Sequence, residues 1–281
     1  MEGSVSLVAL LCRTSDRTAR AGLGVQELAA RLGERLGVEP RPIGSPGDAR
    51  AAGYEDDLRD SRGCILEAGG QVEDALSGGN RPLLLAGECS VALTTLPTAL
   101  RLRPEAKVLW LDAHGDFNTP ETSTSRYLGG MSLSAACGEW DSGFGDSIRA
   151  ERVVMAGVRQ LDPGERELLE RSEATVVGAS TVETLVAVKN ALDGAPVYVH
   201  LDVDVLDPEA MPAQFPVPGG LSADKLYDLF EAVAEDSDLV GLEVTALELP
   251  EDPEAVEEAV ATVLHVVEPL LQSLGDSVPA G

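Results

Sequence analysis

The chain has 281 residues, 44% of them hydrophobic, and a formal net charge of −27 from 48 acidic and 21 basic side chains. That length fits one large α/β domain or two small ones, with enough apolar material for a substantial core. So negative a chain argues against nucleic acid and anionic membrane as partners, because both are polyanions.

The cysteines Cys12, Cys64, Cys89 and Cys137 show no CxxC pair and no disulfide-framework spacing. Cys12, Cys64 and Cys137 read as small core residues. The opening Met-Glu-Gly-Ser lacks a basic region leading into an apolar core, and no apolar run reaches membrane-spanning length. The expectation is a soluble cytoplasmic protein.

Strand-like and helix-like segments alternate along the chain. Val5–Leu11 reads as a strand, Val25–Leu36 and Leu58–Leu76 as helices, and Pro82–Ala86 as a short buried strand. A helix starting at Ser90 runs to Leu102, and Lys107–Leu111 is the next strand. The loop Asn118–Tyr127 is rich in Thr and Ser, and Gly130–Cys137 is helical. Arg152–Ala156, Thr175–Val177 and Pro196–Leu201 read as strands, separated by helices over Pro163–Arg171 and Val182–Leu192. After a proline-rich loop, Pro208–Gly220, Ser222 caps a helix over Ala223–Ala234. Leu239–Val244 is a last strand and Pro253–Leu271 a long amphipathic helix, with 276–281 expected to fray. No linker or repeat breaks the pattern, which predicts one domain over 1–281, of three layers, α/β/α, around a mostly parallel sheet.

Two clusters stand directly after strand-like runs. Asp112-Ala113-His114-Gly115-Asp116 follows Val108–Leu111, and Asp202-Val203-Asp204 follows Val197–Leu201. Ligands of open α/β sheets collect at the carboxyl ends of the strands. In extended backbone, alternate side chains share a face, so Asp112, His114 and Asp116 converge, as do Asp202 and Asp204. A lone Asp after a strand is more often a helix cap. Four such aspartates and a histidine at one sheet edge call for cations, and an oxygen-rich set with one imidazole suits Mn²⁺.

These motifs resemble those of the arginase/agmatinase (ureohydrolase) family, in Ala86-Gly87-Glu88-Cys89-Ser90, Asp112–Asp116, Asp202-Val203-Asp204-Val205-Leu206-Asp207-Pro208 and Gly241-Leu242-Glu243-Val244-Thr245. The resemblance implies an arginase-like fold and two Mn²⁺ ions per subunit. It makes Asp112 and Asp202 bridging ligands, with Cys89 and Asp116 completing one site and His114 and Asp204 the other. Asp116 and Asp204 would hold a bridging hydroxide that attacks a guanidino carbon. Asn118, Ser123 and Ser125 would hold a substrate α-carboxylate. Gly157-Val158-Arg159-Gln160-Leu161-Asp162-Pro163-Gly164-Glu165 is similar to a family segment whose acids hold an α-ammonium, here Asp162 and Glu165. Both segments also have bland readings, as a turn-rich loop and as helix N-terminal acids. Together they favour an α-amino acid over a decarboxylated amine. The resemblance also allows a homo-oligomer.

Three positions depart from the family pattern. Cys89 stands where the family has a histidine ligand. The arginases' entrance histidine falls on Gly129, and their guanidinium-steering glutamate on Ala246, with Glu248 as a substitute if the loop carries an insertion. A modified guanidine fits this changed reacting end. Nω-hydroxy-L-arginine is less basic than arginine, and its hydrolysis gives L-ornithine and hydroxyurea. The cysteine exchange is also similar to a hydroxyurea-forming branch of the family that serves D-cycloserine biosynthesis. An arginase releasing urea, or a non-catalytic metal- or amino-acid-binding member, are the alternatives. His200 reads as a core histidine or as a partner of a metal ligand, and His265 and Trp110 as structural.

Overall fold

The structure, a computed structural model, describes residues 4–179 and 182–275. The tail 276–281 expected to fray lies outside them. Eight strands form one sheet in the order β2-β1-β3-β8-β7-β4-β5-β6, and every pairing is parallel. They are β1 (Val5–Leu10), β2 (Arg41–Ile43), β3 (Arg81–Leu85), β4 (Lys107–Leu111), β5 (Val153–Ala156), β6 (Thr175–Val177), β7 (Val197–Asp202) and β8 (Leu239–Thr245). The central strands are buried on both faces and largely apolar because both faces are covered.

Eight helices supply the covering layers: α1 (Arg20–Leu36), α2 (Tyr54–Ser77), α3 (Ala92–Leu102), α4 (Ser132–Ala136), α5 (Pro163–Arg171), α6 (Val182–Leu192), α7 (Ala223–Asp236) and α8 (Pro253–Gly275). Helices α1, α6, α7 and α8 pack on one face, over Leu109, Leu111, Val199 and Leu201. Helices α2, α3 and α4 cover the other, over Val108, Trp110 and Tyr198. In α1 the apolar residues Val25, Leu28, Ala29 and Leu32 recur at helical spacing and are buried. The helix stops at Gly37, whose φ of 64° suits a glycine. The predicted three-layer α/β/α architecture is therefore present, with a wholly parallel sheet.

The differences are local. Helices α1 and α2 begin earlier than their apolar periodicity, at Arg20 and Tyr54, and the first turn of α2 is acidic. Strand β2 was not predicted: its Arg41-Pro42-Ile43 is too short and polar for a strand pattern, and it is held at the sheet edge by pairing with β1. Cys12 and Cys64 are not separate core residues but form a disulfide. They are 52 residues apart, so spacing gave no hint of their meeting. His265 lies on an exposed face of α8, stacked on Tyr227.

Candidate metal centre and substrate cavity

Strands β3, β8, β7 and β4 are neighbours at the middle of the sheet. Their carboxyl ends deliver Cys89, Thr245, Asp202 and Asp112 to one place. The aspartates do not converge by strand alternation, however. Asp202 ends β7 and accepts a hydrogen bond from the Asp204 N–H (2.8 Å), which turns Asp204 back beside it. In the other motif the chain leaves the extended path, and Asp116 adopts a left-handed φ of 48°. Tight turns thus achieve the convergence that extended backbone was expected to give.

The ligand atoms form two overlapping groups, Cys89–Asp112–Asp116 and Asp112–His114–Asp204, with the atoms of each within 4.8 Å of one another. Asp202 joins them, its Oδ2 lying 3.0 Å from Cys89 Sγ. His114 Nδ1 is 3.0 Å from Asp204 and 3.3 Å from Asp112. All four aspartates are buried. Burial and the adjacent carboxylates push Asp112 up, and Asp116 and Asp202 well up, from the usual carboxylate range. Burial opposes ionisation of Asp204 too, but the His114 ring holds it below that range. Burial would lower the His114 pKa, yet its bonds to Asp112 and Asp204 push it up to about 12. Burial, then Asp202, Asp116 and Asp112, drive the Cys89 thiol well above its ordinary value. These directions show carboxylates and a thiol that resist ionising together without added positive charge. Four carboxylates, an imidazole and a thiol have the chemistry to hold a pair of divalent cations.

A buried rail supports the floor from beneath. His200 is fully buried, with Nδ1 2.6 Å from Glu243 Oε1 and Nε2 3.3 Å from Cys89 Sγ. The Tyr198 hydroxyl donates to the other Glu243 oxygen (3.0 Å), and Trp110 stacks on His200 with ring centroids 3.6 Å apart. Trp110 Nε1 donates to Asp112 Oδ2 (3.2 Å). His200 is thus both a satisfied core histidine and a partner of Cys89, and Trp110 does more than fill space. Such partners orient metal ligands.

Above this floor opens a cavity of about 260 Å³. Cys89, His114, Asp116, Asp202 and Asp204 line it, together with Asn118, Ser125, Asp162, Glu165 and Glu248. Asp112 sits just beneath, and Ser123 lies outside the lining, its hydroxyl capping the Arg126 N–H (3.0 Å). Asn118 Nδ2 donates to Asp162 (3.2 Å), which ties together the two segments expected to hold the substrate. Glu165 accepts from the N–H groups of Phe117 (2.8 Å) and Asp162 (3.0 Å). Burial nevertheless raises its pKa to about 7.

Several cavity residues escaped sequence reasoning. Arg17 and Tyr127 form one wall, with the Arg17 guanidinium 4.3 Å from the Tyr127 ring centroid. The Tyr127 hydroxyl donates to the buried carboxyl of Glu88. Phe215 closes the mouth, its ring centroid 5.5 Å from that of Tyr127 and 6.3 Å from that of His114. Arg17 and Tyr127 sit in loops with no periodicity. The only signal was for Glu88, beside Cys89 in a motif already singled out. Glu248 points into the cavity from beyond β8 and accepts a 2.5 Å hydrogen bond from Thr18. Ala246 is on the same wall, with a left-handed φ of 63°.

Comparison with known proteins agrees with this geometry. The arginase family model matches residues 25–270. The chain is 39% identical, over 94% of its length and 96% of the relative's, to an N(omega)-hydroxy-L-arginine amidinohydrolase of Streptomyces lavendulae. It is 34% identical to an arginase of Brevibacillus brevis, over 69% of this chain and 70% of that one. The crystal structure of arginase from Bacillus cereus superposes with a TM-score of 0.81 at 25% identity, covering 97% of this chain and 98% of that one.

Proposed function

The chain belongs to the arginase family, and from that premise we propose that it hydrolyses Nω-hydroxy-L-arginine to L-ornithine and hydroxyurea, with two Mn²⁺ ions per subunit. One observation carries the reading: the carboxylate floor and the amino-acid-holding segments open into the same cavity, about 260 Å³ in volume. That space matches one small amino acid, and its two ends are chemically distinct. The relative from Streptomyces lavendulae, whose name specifies this substrate, supports it.

Asn118 and Ser125 hold the α-carboxylate in this reading, with Ser123 in reach if the loop closes, and Asp162 and Glu165 hold the α-ammonium. Cys89, Asp112, His114, Asp116, Asp202 and Asp204 would hold the ions. Bound there, divalent cations supply Lewis acidity and lower the pKa of water. Asp116 and Asp204 face the cavity and orient the attacking water over the guanidine carbon. Water adds to that carbon, the bond to the ornithine nitrogen breaks, and that nitrogen takes up a proton.

Glu248 favours a second reading. A carboxylate in the cavity wall could contact a guanidinium, which would make the chain an arginase releasing urea. Product analysis separates the two. The Mn²⁺-loaded protein should release hydroxyurea from Nω-hydroxy-L-arginine with a higher kcat/KM than urea from L-arginine. The reverse order supports the second reading and refutes the first.

We also read the protein as one domain, cytoplasmic and serving antibiotic biosynthesis of the D-cycloserine type. The biosynthetic role rests on the sequence resemblance, and the compartment on the composition and hydropathy of the chain. The Cys12–Cys64 bridge pulls toward an oxidising compartment instead. Counting thiols on protein trapped with an alkylating agent at lysis distinguishes the two compartments.

A further inference from the structure

Arg17 lies in the loop between β1 and α1 and lines the cavity beside Glu88 and Tyr127. Its guanidinium rests over the Tyr127 ring at 4.3 Å. Its Nε is buried with no hydrogen-bond partner, a donor without an acceptor. The ring beneath it is held in place as well. Tyr127 is 8% exposed, bonded to Glu88, and occupies the space that a side chain at position 129 would enter. The next residue, Thr18, donates to Glu248 and so occupies one oxygen of the nearest candidate guanidinium acceptor. The cavity wall beside Glu88 and Tyr127 therefore presents a cation with a spare N–H. A cation held over an aromatic face in a partly buried site keeps part of its field.

We propose that Arg17 is a specificity-determining residue, a charge filter that disfavours a protonated guanidinium and admits a neutral hydroxyguanidine or ureido group, donating its free Nε–H to the oxygen of that group. The inference rests on the reading of the site as one for Nω-hydroxy-L-arginine. It adds the residue that makes the distinction. Juxtaposed like charges in a desolvated site are penalised, whereas a neutral group with an acceptor oxygen satisfies the buried donor.

The test uses binding, so that it stands apart from turnover. L-citrulline and L-arginine have nearly the same shape and the same amino-acid end, but only arginine is cationic at its tip. Titration calorimetry on the Mn²⁺-loaded protein should show citrulline binding tighter than arginine, by about tenfold. Arg17→Gln should bring that ratio to about one or invert it, and Arg17→Lys, which keeps the charge, should preserve its direction. Wild-type protein binding arginine as tightly as citrulline overturns the proposal without any variant. So does an unchanged ratio in Arg17→Gln whose circular dichroism matches the parent. Failure to hydrolyse either substrate would remove the functional reading but leave the binding ratios to judge the filter.

Discussion

Tyr127 stands in the space that a side chain at Gly129 would need. A Cβ built on Gly129 would lie 2.6 Å from Tyr127 Cε1 and 2.9 Å from its Cζ. The sequence resemblance puts the family's entrance histidine at Gly129, and Tyr127 fills the space such a side chain would need. The wall beside Gly129 is filled by a buried phenol bonded to Glu88.

Restoring the histidine alone should therefore fail. Gly129→His is expected to overpack the wall and destabilise the fold by about 1–3 kcal/mol. Tyr127→Gly in the same chain should recover most of that loss. Thermal unfolding of the single and double variants measures it. Equal losses in both would show that Tyr127 is not what fills the position.

Cys89 lets metal binding be read through protons. Burial and three neighbouring aspartates keep it a thiol in the metal-free cluster. A cation must displace that proton to gain the sulfur, so binding should strengthen as pH rises. Sulfur is also a soft ligand for a hard ion. Cys89→His is expected to bind Mn²⁺ about tenfold more tightly than the parent and to release fewer protons. Calorimetry in buffers of different ionisation enthalpy gives both quantities. An affinity unchanged by the substitution would remove Cys89 from the ligand set.

Glu165 gives the metal-free protein a pH signature. Its pKa in the fold is about 7 against an ordinary 4.5, so the folded chain holds a proton that the unfolded chain loses earlier. A raised folded pKa contributes stability below about pH 4.5, and that contribution is lost as pH rises toward 7. Glu165→Gln should flatten that slope while keeping the side chain's shape. Denaturant midpoints at pH 4.5 and 7.5 check it, and an identical pH slope in the variant would contradict the assignment.

Much of this was written in local patterns. The strands at whose ends Asp112 and Asp202 stand are largely apolar runs that a doubly covered parallel sheet would bury, so the strand ends and the candidate ligands beside them followed directly. What stayed hidden was produced by contact between distant segments. Arg17 and Tyr127 meet across 109 residues of intervening chain that includes three strands of the sheet, and neither carries a periodic or motif signal. Cys12 and Cys64 likewise meet only because α2 passes beside the end of β1. The turn at Asp116 was misjudged for a different reason. Non-glycine residues rarely take a positive φ, and the sequence offers no sign that this one does.

The account depends above all on one anionic floor holding two cations. Metal analysis of the Mn²⁺-dialysed chain addresses it directly, comparing the parent with Asp112→Asn and Asp202→Asn. Two ions per chain in the parent, and loss of at least one in each variant, is the expected result. A parent that retains none, or variants that keep both, would contradict it.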